Sequence, residues 1–277
     1  MLSVIVVTVD RPLAVERLFL SLTQQTCRDF EVLLMHAPGL PAATLAALME
    51  KFPGLKIRAF PTPDTCLSRS RNAALPHIRG DCFALADDDC VYTPEVVARV
   101  LAAFREHPEL GVLMGTPVSL DPGPLPTGDA PVPLPRWRLF TGCPSYVQFY
   151  RTAVTAVVDG FDESLGVGCG TPWQSGEETD FALRVVDAGF GAARVPSVVI
   201  LHPAALPAGP AMRRKLSAYA RGRMRLLRKH GCSRAFVALN VLYPLLVLPL
   251  ECGLAVARRT RYRASMFAAR LSSLWRR

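Results

Sequence analysis

Three adjacent carboxylates, Asp87-Asp88-Asp89, close an apolar run, FALA (83–86). Carboxylates side by side repel one another, and a cation relieves that repulsion. Hard divalent cations take oxygen ligands, and a site with few carboxylates leaves room for substrate phosphates. A solvated acidic turn ahead of a helix would use the same residue types. The position directly after a buried-strand pattern favours the metal–diphosphate reading. A second acidic group, Gly176-Glu177-Glu178-Thr179-Asp180, opens a helical pattern after a flexible, Gly-containing loop (166–176) that holds Trp173. A carboxylate there could take the proton of an attacking hydroxyl, or simply complement the helix dipole. Arg71, in SRSRNA (68–73), carries a fork that matches phosphate oxygens, or is a surface arginine. His202 follows an apolar run; it is a structural residue or, near an acidic metal site, a third ligand.

The elements that must position these residues alternate. LSVIVVTV (2–9) is apolar on both faces and predicts a buried parallel strand. Pro12 opens a helix after Asp10-Arg11. Strands follow at 30–35, 56–60 and 82–86, with helices at 41–52 and about 67–79 between them. Thr93 is placed to cap a helix that Pro94 opens. A strand is expected at 110–118, a Pro/Gly loop at 119–136, a strand at 146–150, a short helix at 151–158, a helix at 177–188, and strands at 191–195 and 198–201. This order predicts a mainly parallel sheet flanked by helices, whose ligands bind at the carboxyl ends of strands. The triplet stands at one such end.

In order and spacing, these segments resemble the family 2 glycosyltransferases, which have the GT-A fold. The resemblance covers about residues 2–202. SVIVVTVDRP (3–12) is similar to the family's opening strand, SRSRNAAL (68–75) to its Ala-Arg-Asn segment, and FALADDDCVYTPE (83–95) to its metal-binding strand end. VVDGFDESLGVG (157–168) resembles the segment before the acceptor loop, and GEETDFALRVVDAGF (176–190) the Glu-Asp helix. The resemblance implies a Rossmann-like α/β domain over 1–210 and a hexosyltransferase-type enzyme. A nucleotide-sugar donor would lie near Thr8, Asp10 and Arg11, with Arg71 by the uracil or diphosphate. Asp87 and Asp88 would serve ribose and metal, and Asp89 the metal, with His202 as a further ligand. Mn2+ or Mg2+ would stabilise the leaving diphosphate as a Lewis acid. Glu178 would be the base of an inverting displacement, with Glu177 beside it. Trp173 and Asp180 would face the acceptor, Trp173 having a second reading as a loop anchor. Two departures stand out. LMHAPG (34–39) has no acid where the family's second strand ends in an Asp-rich turn, so uridine is not implied. Glu178 replaces the usual Asp. A processive-synthase signature of the QxxRW type is missing, which favours single-sugar transfer.

Charge divides the chain. Residues 1–210 carry 16 Lys and Arg against 22 Asp and Glu, and residues 211–277 carry 16 against one, Glu251, which together give the net +9. The basic part therefore has a separate task. Its run 235–257 is long enough to span a bilayer core, but Pro244, Pro249 and Glu251 interrupt it and arginines flank both ends. A broken or re-entrant helical segment on an anionic membrane surface fits this pattern, as does a helix packed on the domain. Nucleic acid is not an expected partner, since the tail has no RNA-binding aromatic motif. The eight cysteines form no CxxC pair and read as buried thiols of a reducing compartment. The N-terminus lacks a basic leader pattern, so the catalytic part is expected to stay in the cytosol, and with the basic tail the expected location is the cytoplasmic face of the cell membrane. A lipid-linked or cell-envelope glycan is the expected acceptor. Two other readings remain: a sugar-phosphate nucleotidyltransferase, which would want a Gly-rich loop that 1–15 lacks, and an inactive membrane-binding relative.

Overall fold

A computed structural model describes residues 1–203, 209–247 and 256–275. The chain packs as two compact units: Met1–Phe161 with Glu178–Ala204, and Asp162–Glu177 with Ala205–Arg277.

In the first unit, β1 (Leu2–Thr8), α1 (Pro12–Thr23), β2 (Phe30–His36), α2 (Ala42–Lys51), β3 (Ile57–Pro61), α3 (Leu67–Ala74) and β4 (Cys82–Asp87) alternate as the sequence predicts. Short β5 (Val91–Tyr92), α4 (Val96–Glu106), long β6 (Leu110–Ser119), β7 (Val132–Pro133), β8 (Gln148–Arg151), α5 (Glu177–Asp187) and β9 (Gly191–His202) follow. The strands lie in the order β3-β2-β1-β4-β8-β6-β9-β5, with β7 on β9.

The sheet is mixed rather than mainly parallel. β1, β2, β3 and β4 run parallel, as do β6 and β9, but β8 is antiparallel to both β4 and β6. A parallel return needs a long crossover, usually a helix. The Pro/Gly segment 119–136 supplies none, so β8 comes back against its neighbours. The two short strands expected at 191–195 and 198–201 are one continuous β9, with Pro196 carried at an irregularity in its pairing with β6.

A period of two divides the core between the sheet faces. Leu2, Val4 and Val6 of β1 join Leu18 and Leu22 of α1 and Val100 of α4 on one face. On the other face Phe83 stacks on Tyr150 at 5.2 Å, and Phe161 on Phe181 of α5 at 4.4 Å. The start of α4 is satisfied differently from expectation. Thr93 Oγ1 donates to Val199 O at 3.0 Å, and Gln25 Oε1, from beyond the end of α1, accepts from Val97 N at 3.1 Å. The helix donors are capped from a neighbouring element.

The second unit contains α6 (Pro210–Lys229), α7 (Arg234–Leu246) and α8 (Val256–Ser272), with α8 against both others. Ser233 Oγ caps α7 by accepting from Phe236 N at 3.2 Å. Among the described residues, no helix is long and apolar enough to cross a membrane. α7 covers the first half of the apolar run 235–257; residues 248–255 lie outside the described part. Five cysteines, Cys27, Cys82, Cys90, Cys143 and Cys232, are free. Cys66 and Cys169 are each in a disulfide, against the reading of all eight as thiols. No local spacing announces a bond of this kind.

Candidate active site

β1 and β4 are parallel neighbours in register, Val7 opposite Asp87, so Thr8 and the triplet emerge at one sheet edge. β5 pairs antiparallel with the end of β9, Val91 opposite Leu201, which draws the triplet and His202 together. Asp87, Asp89 and His202 offer ligand atoms that all lie within 4.8 Å of one another. His202 Nε2 is 3.1 Å from Asp89 Oδ1 and 3.8 Å from Asp87 Oδ2.

Three carboxylates in a row take three different positions. Asp88 is turned inward, its side chain 1% exposed; it accepts from Thr8 Oγ1 at 2.7 Å and from the Arg11 guanidinium. Burial pushes its carboxyl above the ordinary value, against the pull of Thr8 and Arg11. Asp89 Oδ2 accepts from Arg11 Nη1 at 2.7 Å. Burial would raise Asp89, but His202 and Arg11 outweigh it and hold the carboxyl down at about 2. Burial would lower Arg11, but the two aspartates hold it above its ordinary value. Asp87 accepts from Ser145 Oγ at 3.0 Å and lies 3.8 Å from Arg71 Nη2. Asp10 is exposed at the end of β1.

His202 is oriented from two sides. Its Nδ1 is 2.8 Å from Pro203 O, and its ring stacks on Tyr146 at 4.4 Å. An Nδ1–H donating to that carbonyl leaves Nε2 to face the carboxylates, the arrangement that second-shell contacts give a metal-binding imidazole. Burial would lower the His202 pKa, but Asp89, the Pro203 carbonyl and Asp87 raise it overall. Asp89 Oδ1 is buried without a well-formed hydrogen bond. A buried carboxylate oxygen 3.1 Å from an aligned imidazole, with a second carboxylate beside it, fits a divalent cation. A set of two oxygens and one nitrogen suits Mn2+ better than Mg2+, which binds oxygen almost alone.

Sequence reasoning did not find the segment 143–150. Its short 3-10 turn brings Ser145 to Asp87 and Tyr146 to His202. Gln148 Nε2 donates to Cys143 O at 2.6 Å, Tyr150 Oη donates to Gln148 Oε1, and Tyr150 Oη lies 3.4 Å from Glu178 O. One segment thus touches the triplet, His202 and the first turn of α5. The only sequence signal was the apolar YVQFY run, which spoke for a strand and not for contacts.

The remaining predicted residues divide by exposure. Arg71 is 2% exposed, over the Phe161 ring at 5.7 Å. Beside it Asn72 exchanges two hydrogen bonds with the Phe161 backbone, at 2.6 and 2.9 Å. Asp180, read as an acceptor contact, is fully buried and paired with Arg184 at 2.9 Å. Arg184 also donates to the Asp159 and Gly160 carbonyls. Asp180 therefore anchors the turn before the loop, because an unpaired buried carboxylate would be costly. Glu177 is buried and Glu178 half-buried at the start of α5. In the second unit the loop 166–176 is tied rather than flexible. Thr171 Oγ1 donates to Ser164 O, Gly168 N to Gln174 Oε1, and Gly166 N to Trp173 O. Trp173 is half-buried, with the Arg225 guanidinium over its ring at 4.6 Å.

The family model Glycosyl transferase family 2 matches residues 3–134, which bears out the resemblance of segments 3–12, 68–75 and 83–95. Segments 157–168 and 176–190 lie beyond that match. The chain spans about a third of the length of the curated relatives it matches. One, an uncharacterized glycosyltransferase, YwdF, of Bacillus subtilis (strain 168), is 29% identical over 93 residues, 34% of each chain. Among solved structures, the fold is similar to the mannosyltransferase PcManGT from Pyrobaculum calidifontis in complex with GDP-Man and Mn2+. That match has a TM-score of 0.67 and 15% identity, over 99% of this chain and 87% of that one. It is also similar to S. aureus TarS 1–349 in complex with UDP-GlcNAc, with a TM-score of 0.63 and 18% identity, over 97% and 81%. The fold is GT-A-like, with a mixed, curled sheet.

Proposed function

We propose that this chain, whose residues 3–134 match the family model Glycosyl transferase family 2, moves a sugar from a nucleotide-sugar donor to an acceptor hydroxyl with inversion. The convergence of Asp87, Asp89 and His202 at the carboxyl ends of β4 and β9 carries the reading. These three residues would hold a divalent cation, which as a Lewis acid would stabilise the charge on the leaving diphosphate. Two fold neighbours are described with nucleotide-sugars and one of them with Mn2+, which supports the donor class. Thr8, Asp10 and Arg11 border the donor at the end of β1, and Asp88, locked by Thr8 and Arg11, fixes that edge. Arg71, buried beside Asp87, adds fixed positive charge near the diphosphate.

Glu178 is the base. Its carboxylate takes the acceptor hydroxyl proton as that oxygen bonds to the anomeric carbon. The bond from that carbon to the diphosphate oxygen breaks, and the electron pair leaves with the nucleotide. Attack opposite the leaving group inverts the centre. The acceptor is a lipid-linked or cell-envelope glycan, met at the cytoplasmic face of the membrane. Support for the membrane comes from α7, whose outward residues Leu239, Leu242, Tyr243 and Leu246 are about half exposed on a single helix face. Basic residues 213–215 of α6 are exposed in the same unit.

The test is metal-dependent nucleotide release from a panel of nucleotide-sugars. Release with at least one donor is expected, with Asp89→Ala and Glu178→Gln each lowering it by about 100-fold or more. Release from no donor, or release unchanged in both variants, would overturn the proposal.

A further inference from the structure

The basic helix α6 does more in this structure than carry charge. One face of it is built against the loop 162–177 of the same unit. Ser175 Oγ donates to Tyr219 O at 3.0 Å, and Arg221 Nε donates to Pro172 O at 3.2 Å. Lys229 Nζ donates to Asp162 Oδ2 at 2.6 Å. Gly222 makes the approach possible: a Cβ there would stand 2.5 Å from Ser175 O and 2.9 Å from Ser175 N. Residues 218, 221, 222, 225, 226 and 229 share this face at helical spacing.

Arg225 sits within that face, and its cations have different partners. Arg221 and Lys229 are spent on the loop. Among the described residues Arg225 makes no hydrogen bond or ion pair. Its guanidinium lies over the Trp173 ring at 4.6 Å, and its Nε is buried without a partner. A buried N–H left unsatisfied costs free energy. α6 has no Asp or Glu of its own that could supply the missing partner. A stacked guanidinium keeps its planar fork fixed, and that fork matches the paired oxygens of a phosphate or carboxylate.

We propose that Arg225 and Trp173 form an acceptor subsite for an anionic oxygen group, a phosphate or a carboxylate, carried next to a sugar. Trp173 orients the guanidinium through one ring face, and its remaining exposed surface takes the apolar side of the sugar. α6 is the frame that holds the pair. The assignment to an acceptor rests on the transferase reading, since Trp173 stands a few residues ahead of Glu178 in the chain; the anion site itself does not.

The full chain with Trp137→Phe and Trp275→Phe leaves Trp173 as its one tryptophan. Its emission is titrated at constant ionic strength with inorganic phosphate, glucose 1-phosphate and glucuronate, with chloride as control. A saturable change with at least one of the three oxyanions and none with chloride is expected. Phosphate and glucuronate distinguish the two anion classes, and a lower half-saturation for glucose 1-phosphate than for inorganic phosphate supports the adjacent sugar contact. Arg225→Gln should weaken the response by about tenfold or more, the usual scale of a lost charge-assisted hydrogen bond. Circular dichroism and the thermal unfolding midpoint check that Arg225→Gln is folded. No saturable change with any of the three, or equal responses in Arg225→Gln, would overturn the subsite. Failure of nucleotide release in the unsubstituted chain would overturn the transferase reading and leave the titration interpretable.

Discussion

His202 ties the electrostatics of the site to its chemistry. As a cation it pairs with Asp89, and as a neutral ring it is a ligand, so protons and a metal compete for Nε2. Its folded pKa is raised above the ordinary 6.5. The stability that its ion pair contributes is therefore complete below 6.5 and fades as pH rises through the raised value. Cation affinity should run the opposite way, strengthening as pH rises over that window. Mn2+ titrations at several pH values should show that rise, and His202→Ala should flatten it. Asp89 has the opposite sign. Held at about 2, it contributes stability that is present above its ordinary 3.8 and lost as pH falls toward 2. The triplet and His202 were legible in the sequence, because a carboxylate run after an apolar strand is a local pattern. Ser145 and Tyr146 were not. They reach the site through a 3-10 turn that follows a proline-rich loop, and nothing local records which residues such a turn delivers.

At the scale of elements, the joint between α3 and the turn before the loop is held by a glycine. A Cβ on Gly160 would meet Asn72 Oδ1, which accepts from Phe161 N at 2.6 Å. Gly160→Ala should then destabilise the fold by about 1–3 kcal/mol through overpacking, read as a lower urea midpoint with an unchanged slope. Phe181→Ala, in the aromatic cluster on the same sheet face, should cost about 3–5 kcal/mol. The strands β1 to β4 and the bounds of α2 were predicted within a residue or two, since strands and helices alternate in regular order. The helix expected to about 79, however, ends at Ala74, where a 3-10 turn over Leu75–His77 with Pro76 takes over. The expectation of a mainly parallel sheet failed at β8. Strand direction there depends on a crossover that the sequence shows only as a loop without a helix. The loop 166–176 was read as flexible from its glycines, yet Thr171 and Gln174 fasten it from within.

For the whole molecule, the charge division at residue 210 was visible, but its spatial meaning was not. Segment 162–177 packs with the C-terminal helices, a grouping no composition shift marks. The apolar stripe of α7 and the cations of α6 belong to that unit, and together they predict salt-sensitive binding to anionic vesicles. The full chain should co-sediment with vesicles rich in anionic lipid at low salt and less at high salt. Leu242→Asp with Leu246→Asp should reduce binding by about tenfold or more, as two apolar contacts are replaced by charges that the anionic surface repels. Equal sedimentation of the double variant would remove α7 from the membrane account.

In the proposed site Asp87, Asp89 and His202 hold a divalent cation together with a nucleoside diphosphate. Electron paramagnetic resonance of Mn2+, titrated into the full chain with GDP or UDP present, reads it directly. One saturable site is expected that needs both protein and nucleotide for full strength, and that Asp89→Ala weakens by about tenfold or more. Mn2+ binding with equal strength in Asp89→Ala, or no protein-bound Mn2+ with either nucleotide, would contradict it.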